Sequence, residues 1–124
     1  MTPSQKFMAT LLSEVPELAE TYQTHVMEND EVLPHVLMGD ITRLALQLAD
    51  WGTNHSGRGA ATLERLLKLL DDHMAAGPPE VRELIAVSFL ENLDESDAGY
   101  SALAARLGPA LAREMTHLHG GDSW

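Results

Sequence analysis

Val81-Arg-Glu-Leu-Ile-Ala-Val-Ser-Phe-Leu-Glu-Asn-Leu93 is the stretch whose reading decides the fold. Wound as a helix at about 100° per residue, it places Val81, Leu84, Ile85, Val87, Phe89, Leu90 and Leu93 on nearly every side. A helix that is apolar all round belongs in the interior of a protein. Ser88, Glu91 and Asn92 interrupt it late, on the azimuth that Val81, Leu84 and Ile85 occupy earlier. Either the helix emerges into solvent at its C-terminal end, or these groups are hydrogen-bonded inside. The cost of burying an unpaired carboxylate favours emergence.

The flanking segments supply partners for this helix. Thr2-Pro3-Ser4-Gln5 is a helix start, with Thr2 as N-cap, proline in the first turn and Gln5 closing a capping box. Phe7, Met8, Leu11, Leu12 and Val15 follow at helical spacing until Pro16 stops the run. A second helix, from Pro16 to about Met27, carries the narrow stripe Leu18, Ala19, Tyr22 and Val26, as expected of an outer helix. Asn29-Asp30-Glu31 breaks the chain before a long helix over about Val32–Trp51, whose stripe is Leu33, Leu37, Ile41, Leu44, Ala45 and Leu48. Arg43 is placed to pair with Asp40. Val36 and Leu46 interrupt its polar face, which implies a covering helix or a partner. Gly39 is expected to permit a close helix crossing.

Gly52–Gly59 reads as a loop. Leu63, Leu66, Leu67, Leu70 and Met74 then mark a helix from about Ala60 to Ala75, with Glu64 and Lys68 spaced for an ion pair. Asp71 and Asp72 lie near its C-terminal end, where the helix dipole disfavours them and Lys68 can reach either. Ser96 or Asp97 is expected to cap a helix running through Leu107, and Gly108-Pro109 breaks it before a last helix with Leu111, Met115 and Leu118. Strand-like alternation is absent. The expected fold is all-α: six to seven helices in one compact bundle or an α-solenoid-like layer, a single domain over 1–119 with a flexible tail at 120–124.

The 124 residues hold 19 acidic and 8 basic side chains, a formal net charge of −11. Residues 1–50 and 77–99 carry this excess, while 51–76 and 100–124 are balanced. Such a distribution repels nucleic acid and anionic membranes and attracts basic partners, with solubility alone as the competing account. No cysteine is present, which removes disulfides, thiolate nucleophiles and Cys-ligated zinc and suits a reducing compartment. The first residues do not read as a secretory signal, no uncharged run approaches a membrane span, and a cytoplasmic location is expected.

Little in the chain points to chemistry. Glu114-Met-Thr-His117 has the spacing of a di-iron half-site, but no second Glu-x-x-His accompanies it. His25 and His35 read as partly buried polar groups or helix-terminus partners, and His73 as a partner of a helix C-terminus. Ser56 beside His55 is adjacency rather than a triad, and neither a nucleophile elbow, a phosphate-binding loop nor a dinucleotide fingerprint occurs. The expectation is a protein with no catalytic residues, no metal site and no cofactor.

The acidic residues are the better functional candidates. Glu28, Asp30 and Glu31 precede the long helix and Asp40 lies on it, while Glu91, Asp94, Glu95 and Asp97 follow the central helix. Capping explains acids at helix N-termini. It does not explain Glu91, Asp94 and Glu95 at a helix end that disfavours them, and acids placed against a local rule are candidates for an intermolecular role. These eight residues are the expected contact set for a basic protein partner. The alternative is an adaptor that takes a partner helix on apolar surface near Val36, Leu46 and Trp51.

Leu33-Pro-His-Val-Leu-Met-Gly-Asp-Ile41, Val87-Ser-Phe-Leu-Glu-Asn-Leu93 and Leu107-Gly-Pro109 together resemble a family of small bacterial all-helical domains. Members of that family are encoded near secreted or contact-delivered toxins and are taken to be their immunity proteins. The resemblance covers about residues 30–110 and rests mostly on core positions, so it speaks to fold more than to role. It implies an immunity protein that neutralises a cognate toxin, plausible targets including nucleases, by occluding its basic surface.

Overall fold

The computed structural model describes residues 2–54 and 58–119, and of residues 51–54, 58 and 119 only the helical backbone. Among the described residues there are seven α-helices and no strand: α1 (Pro3–Glu14), α2 (Ala19–Asn29), α3 (Pro34–Asn54), α4 (Arg58–Ala76), α5 (Pro79–Ser88), α6 (Tyr100–Ala104) and α7 (Pro109–His119). Pro16–Leu18 and Leu90–Asn92 form 3₁₀ turns. The fold is all-α and compact.

Helix α5 is the centre, packed against α1, α3 and α4. Val81, Leu84, Ile85 and Ala86 are buried along it, and Phe89 and Leu90 just beyond it. The helix is shorter than its apolar run suggests. It stops at Ser88 and continues as a 3₁₀ turn, because its last carbonyl finds partners outside the helix. Ser88 O lies 3.1 Å from the Thr42 hydroxyl and accepts from Asn92 Nδ2 at 2.7 Å. The Ser88 hydroxyl is buried and bonds the His35 ring. So the polar interruption divides: Ser88 is satisfied inside, while Glu91 and Asn92 are exposed. Val87, expected inside, is 44% exposed.

Contacts between distant helices (α1 with α5, α3 with α6, α4 with α7) close the structure into a bundle rather than a solenoid, in which each unit would touch only its neighbours. One hydrophobic cluster runs from Phe7 to Met115. The capping box at Thr2 and Gln5 forms, with both reciprocal bonds present. Val15, before Pro16, leaves the helical region at φ −126° and ψ 78°.

Several local expectations are revised. Gly39 is buried, but a β-carbon there would meet only Asn92 Nδ2 at 3.8 Å and Arg43 Nη1 at 3.9 Å, which is ordinary contact, not a tight crossing. The close approach is at Gly99, with φ 84°, where a β-carbon would lie 2.3 Å from Leu46 O. Helix α6 therefore sits directly on α3 and buries Leu46. It is only five residues long and has Gly99, not Ser96 or Asp97, at its N-cap. Lys68 pairs with Asp72 at 3.3 Å rather than with Glu64, which faces Arg106 at 3.6 Å. The expected loop narrows, since α3 continues through Asn54 and α4 begins at Arg58. His55, Ser56 and the tail at 120–124 lie outside the described residues.

Candidate functional site

Helix α2 rides on the bundle through Leu18, at the turn before it, and His25, both buried. The His25 ring is fixed by the backbone that follows its own helix: Nε2 accepts from Leu33 N–H at 2.9 Å, so this nitrogen carries no proton. Its Nδ1 faces Asp40 Oδ2 at 3.7 Å. Asn29 Nδ2 donates to His25 O at 2.8 Å, and Asp30 closes the helix in the left-handed region at φ 63°. These contacts lock the connection between α2 and α3 and set the two helices side by side.

Between them lies an open groove of about 560 Å³. Glu17, Glu20 and Glu28 line it from the α2 side with Thr21 and Thr24, and Asp40, Arg43, Leu44 and Gln47 from α3. Four carboxylates thus face one guanidinium. Arg43 pairs with Asp40, and Glu17 is held from outside the groove by Arg65 and by the buried Thr62, whose hydroxyl donates at 2.9 Å. A hydrogen bond from its own backbone, then those from Arg65 and Thr62, hold the Glu17 carboxyl below the ordinary glutamate range. Glu20 and Glu28 are exposed and make no ion pair or hydrogen bond among the described residues. They are eight residues apart on one face, roughly 12 Å along the helix axis.

The eight expected contact residues therefore divide. Glu28 and Asp40 share the groove, and Asp30 and Glu31 are exposed at the turn just beyond it. The second set has a local role that sequence reasoning missed. Asp94 Oδ1 accepts from Ser96 N at 2.9 Å and from its hydroxyl at 3.0 Å, and Asp97 Oδ2 accepts from Asp94 N at 3.1 Å. Asp94 and Asp97 close a turn on each other, and the Ser96 bonds, backbone first, hold the Asp94 carboxyl below its usual range. Asp-x-Ser-Asp was the readable signal for such a turn. Glu91 and Glu95 remain exposed, without a hydrogen bond or ion pair among the described residues. This stretch adjoins α3 where Asn92 approaches Gly39, next in sequence to Asp40, but among the described residues none of 91–97 lines the groove.

Of the apolar surface expected near Val36, Leu46 and Trp51, two side chains are described. Val36 is 48% exposed, Leu46 is covered by the α6 contact, and the Trp51 side chain lies outside the described residues. An apolar concavity does exist elsewhere. On the opposite flank of α2, a pocket of about 480 Å³ is lined by Gln5, Met8, Ala9, Leu12 and Ser13 of α1, by Tyr22 and by Val32. Periodicity placed Met8, Leu12 and Tyr22 on core faces, but nothing in a periodic pattern says whether two such faces meet. Among the described residues no three His, Asp or Glu side chains converge as metal ligands, and no helix is long and apolar enough to cross a membrane.

Comparison with curated proteins and with solved structures gave no match. A family model described as "Domain of unknown function (DUF7674)" matches residues 8–120, from the first turns of α1 to the end of α7. With nearly its whole length covered by that model, the chain belongs to the DUF7674 family.

Proposed function

We propose that this protein is a binding module that neutralises a basic partner protein by covering its active surface, as an immunity protein does to a toxin. The observation that carries the reading is the groove between α2 and α3, where Glu20 and Glu28 stand unpaired among the described residues beside Asp40, held by Arg43, and Glu17, held by Arg65. The net charge of −11 extends the same field over the molecule. The resemblance of the 33–41, 87–93 and 107–109 segments to immunity proteins supports the choice of partner class.

The mechanism is electrostatic capture followed by occlusion. Negative potential raises the encounter rate with a cationic surface and orients the approach. In the complex, Glu20 and Glu28 compete for the lysines and arginines that a nuclease would use on phosphate. Asp40 and Glu17, already paired at home, fix the groove walls instead. Such a complex inhibits stoichiometrically and weakens as salt screens the encounter.

The test pairs the protein with the product of the adjoining gene and measures association by stopped flow between about 0.05 and 0.5 M salt. Glu20→Lys with Glu28→Lys is expected to slow association roughly tenfold or more at low salt and to flatten the salt dependence, with the helical circular dichroism unchanged. Association kinetics equal to those of the unmodified protein overturn the electrostatic reading.

A further inference from the structure

Helices α5 and α7 both pack on α4, and a cleft of about 640 Å³ is lined by all three. Met74 of α4, Ala86 of α5 and Ala110 of α7 give it apolar surface. Its α5 and α7 walls repeat one pattern. Arg82 and Glu83 stand one turn before Ala86, and Arg113 and Glu114 one turn after Ala110, so each pair shares the cleft with the alanine of its own helix. Asp71 also lines the cleft, but its Oδ1 is engaged by the Ala110 and Leu111 N–H groups.

The four charges on these walls do not neutralise one another. Arg43, Arg65, Lys68 and Arg106 each meet a carboxylate. Arg82 and Arg113 make no ion pair or hydrogen bond among the described residues, and neither do Glu83 and Glu114. Side chains at i and i+1 on a helix do not face each other, which keeps each arginine off the glutamate beside it. A guanidinium takes a carboxylate or a phosphate through paired N–H donors. The glutamates decide between these two. With Glu83 and Glu114 on the same walls and a net charge of −11 around them, a doubly charged phosphate is repelled. A ligand that carries a carboxylate and an ammonium together is neutral at a distance and finds a partner for each charge close to. The volume lies within the range of roughly 300–1,000 Å³ that holds a drug-sized ligand, which suits a short peptide.

We infer that this cleft binds a short peptide with free ends. Its carboxylate goes to Arg82 and Arg113, its ammonium to Glu83 and Glu114, and its apolar side chains to Met74, Ala86 and Ala110. None of these residues lines the groove between α2 and α3, so the site stands or falls separately from that groove.

The experiment titrates the full chain with the free-ended tripeptide Leu-Ala-Leu and follows the methyl NMR signals of Ala86 and Ala110. The comparisons are the same tripeptide acetylated at its amine, amidated at its carboxylate, or both, and inorganic phosphate. The free tripeptide is expected to shift both methyls with a Kd below about 1 mM. Blocking either end should weaken it roughly tenfold or more. Arg82→Gln with Arg113→Gln should weaken the free peptide by a similar factor and leave the amidated one unaffected. Glu83→Gln with Glu114→Gln should weaken the free peptide and leave the acetylated one unaffected. A merely structural role would weaken every peptide alike, and that result overturns the inference. So do unmoved methyls, equal affinity for the free and doubly blocked peptides, or tighter binding of phosphate. A dimer in sedimentation velocity that either double variant dissociates would make a second copy the occupant, and overturns it too.

Discussion

Asp71 on α4 caps the helix that contains Leu111, forty residues further along: its Oδ1 lies 2.9 Å from Leu111 N and 2.9 Å from Ala110 N. An acid that is unfavourable at the end of its own helix serves the start of another, where the unpaired N–H groups and the dipole favour negative charge. The same carboxylate explains Gly108, since a β-carbon there would fall 2.4 Å from Asp71 Cγ. Asp71→Ala is expected to cost about 1–2 kcal/mol in urea unfolding, and Asp71→Asn less. A change within roughly 0.3 kcal/mol for the alanine variant would mean that water caps α7 equally well.

Two glycines in this chain have opposite sensitivities. Gly99→Ala puts a β-carbon against Leu46 O and forces an L-residue into φ 84°, so a loss of at least about 2 kcal/mol is expected. Gly39 has room for a β-carbon in the interior of α3, and Gly39→Ala should be neutral or stabilising by up to about 1 kcal/mol. Urea midpoints of the two variants, measured side by side, check both. A destabilised Gly39→Ala would mean that α3 and the 90–92 turn pack more tightly than their separation indicates.

Acid is expected to weaken this fold through identified carboxylates. Glu80 on α5 caps α1, taking the Ser4 N–H at 2.9 Å. Hydrogen bonds from the Ser4 hydroxyl and then its backbone hold the Glu80 carboxyl below the ordinary range, as Arg65 and Thr62 contribute to doing for Glu17. A carboxyl with a lowered folded-state pKa binds more protons unfolded than folded. Its contribution is therefore complete above the ordinary glutamate value of about 4.3 and is lost as pH falls through the lower folded value. Thermal midpoints should fall as pH drops below about 5. Glu80→Gln, which has no carboxyl to titrate, should show a shallower decline over that window, and an unchanged slope would contradict the assignment.

Among the described residues His25 is the most buried histidine, 1% exposed, and its ring accepts a hydrogen bond from the backbone. His25→Phe keeps the shape but leaves Leu33 N–H without its partner, for an expected loss of about 1–3 kcal/mol. Amide hydrogen exchange at Leu33 should accelerate more than exchange in α5. Uniform acceleration would instead indicate a global packing defect.

Periodicity sufficed for the all-α class, for the core faces of α1, α3 and α4, and for the interior position of Val81, Leu84, Ile85 and Phe89. Those features depend on near neighbours along one helix, which a sequence displays directly. The end of α5 did not show, because Ser88 O is taken by the Asn92 side chain and the Ser88 hydroxyl by the His35 ring of another helix. Nor did the roles of Asp71 and Glu80, each of which bonds a backbone far away in the chain. Of the eight acidic residues that the sequence singles out, only Glu28 and Asp40 share a groove with other acids. Glu17 and Glu20 join them because α2 lies beside α3, and no spacing along the chain contains that fact. The pocket at Met8, Leu12 and Tyr22 was illegible for the same reason: it is a gap between two faces that each read as core.

The bond from Glu80 to Ser4 ties the first helix to the central one, 76 residues away. Beyond its own Thr2–Gln5 capping box α1 is fastened by Glu80, and α7 takes its cap from Asp71, so both terminal helices are tied by side chains to the middle of the molecule. Shortening the chain by its first helix would strip a lid from the apolar side of α5 and leave an association-prone remnant, whereas an open-ended stack would merely lose one rung.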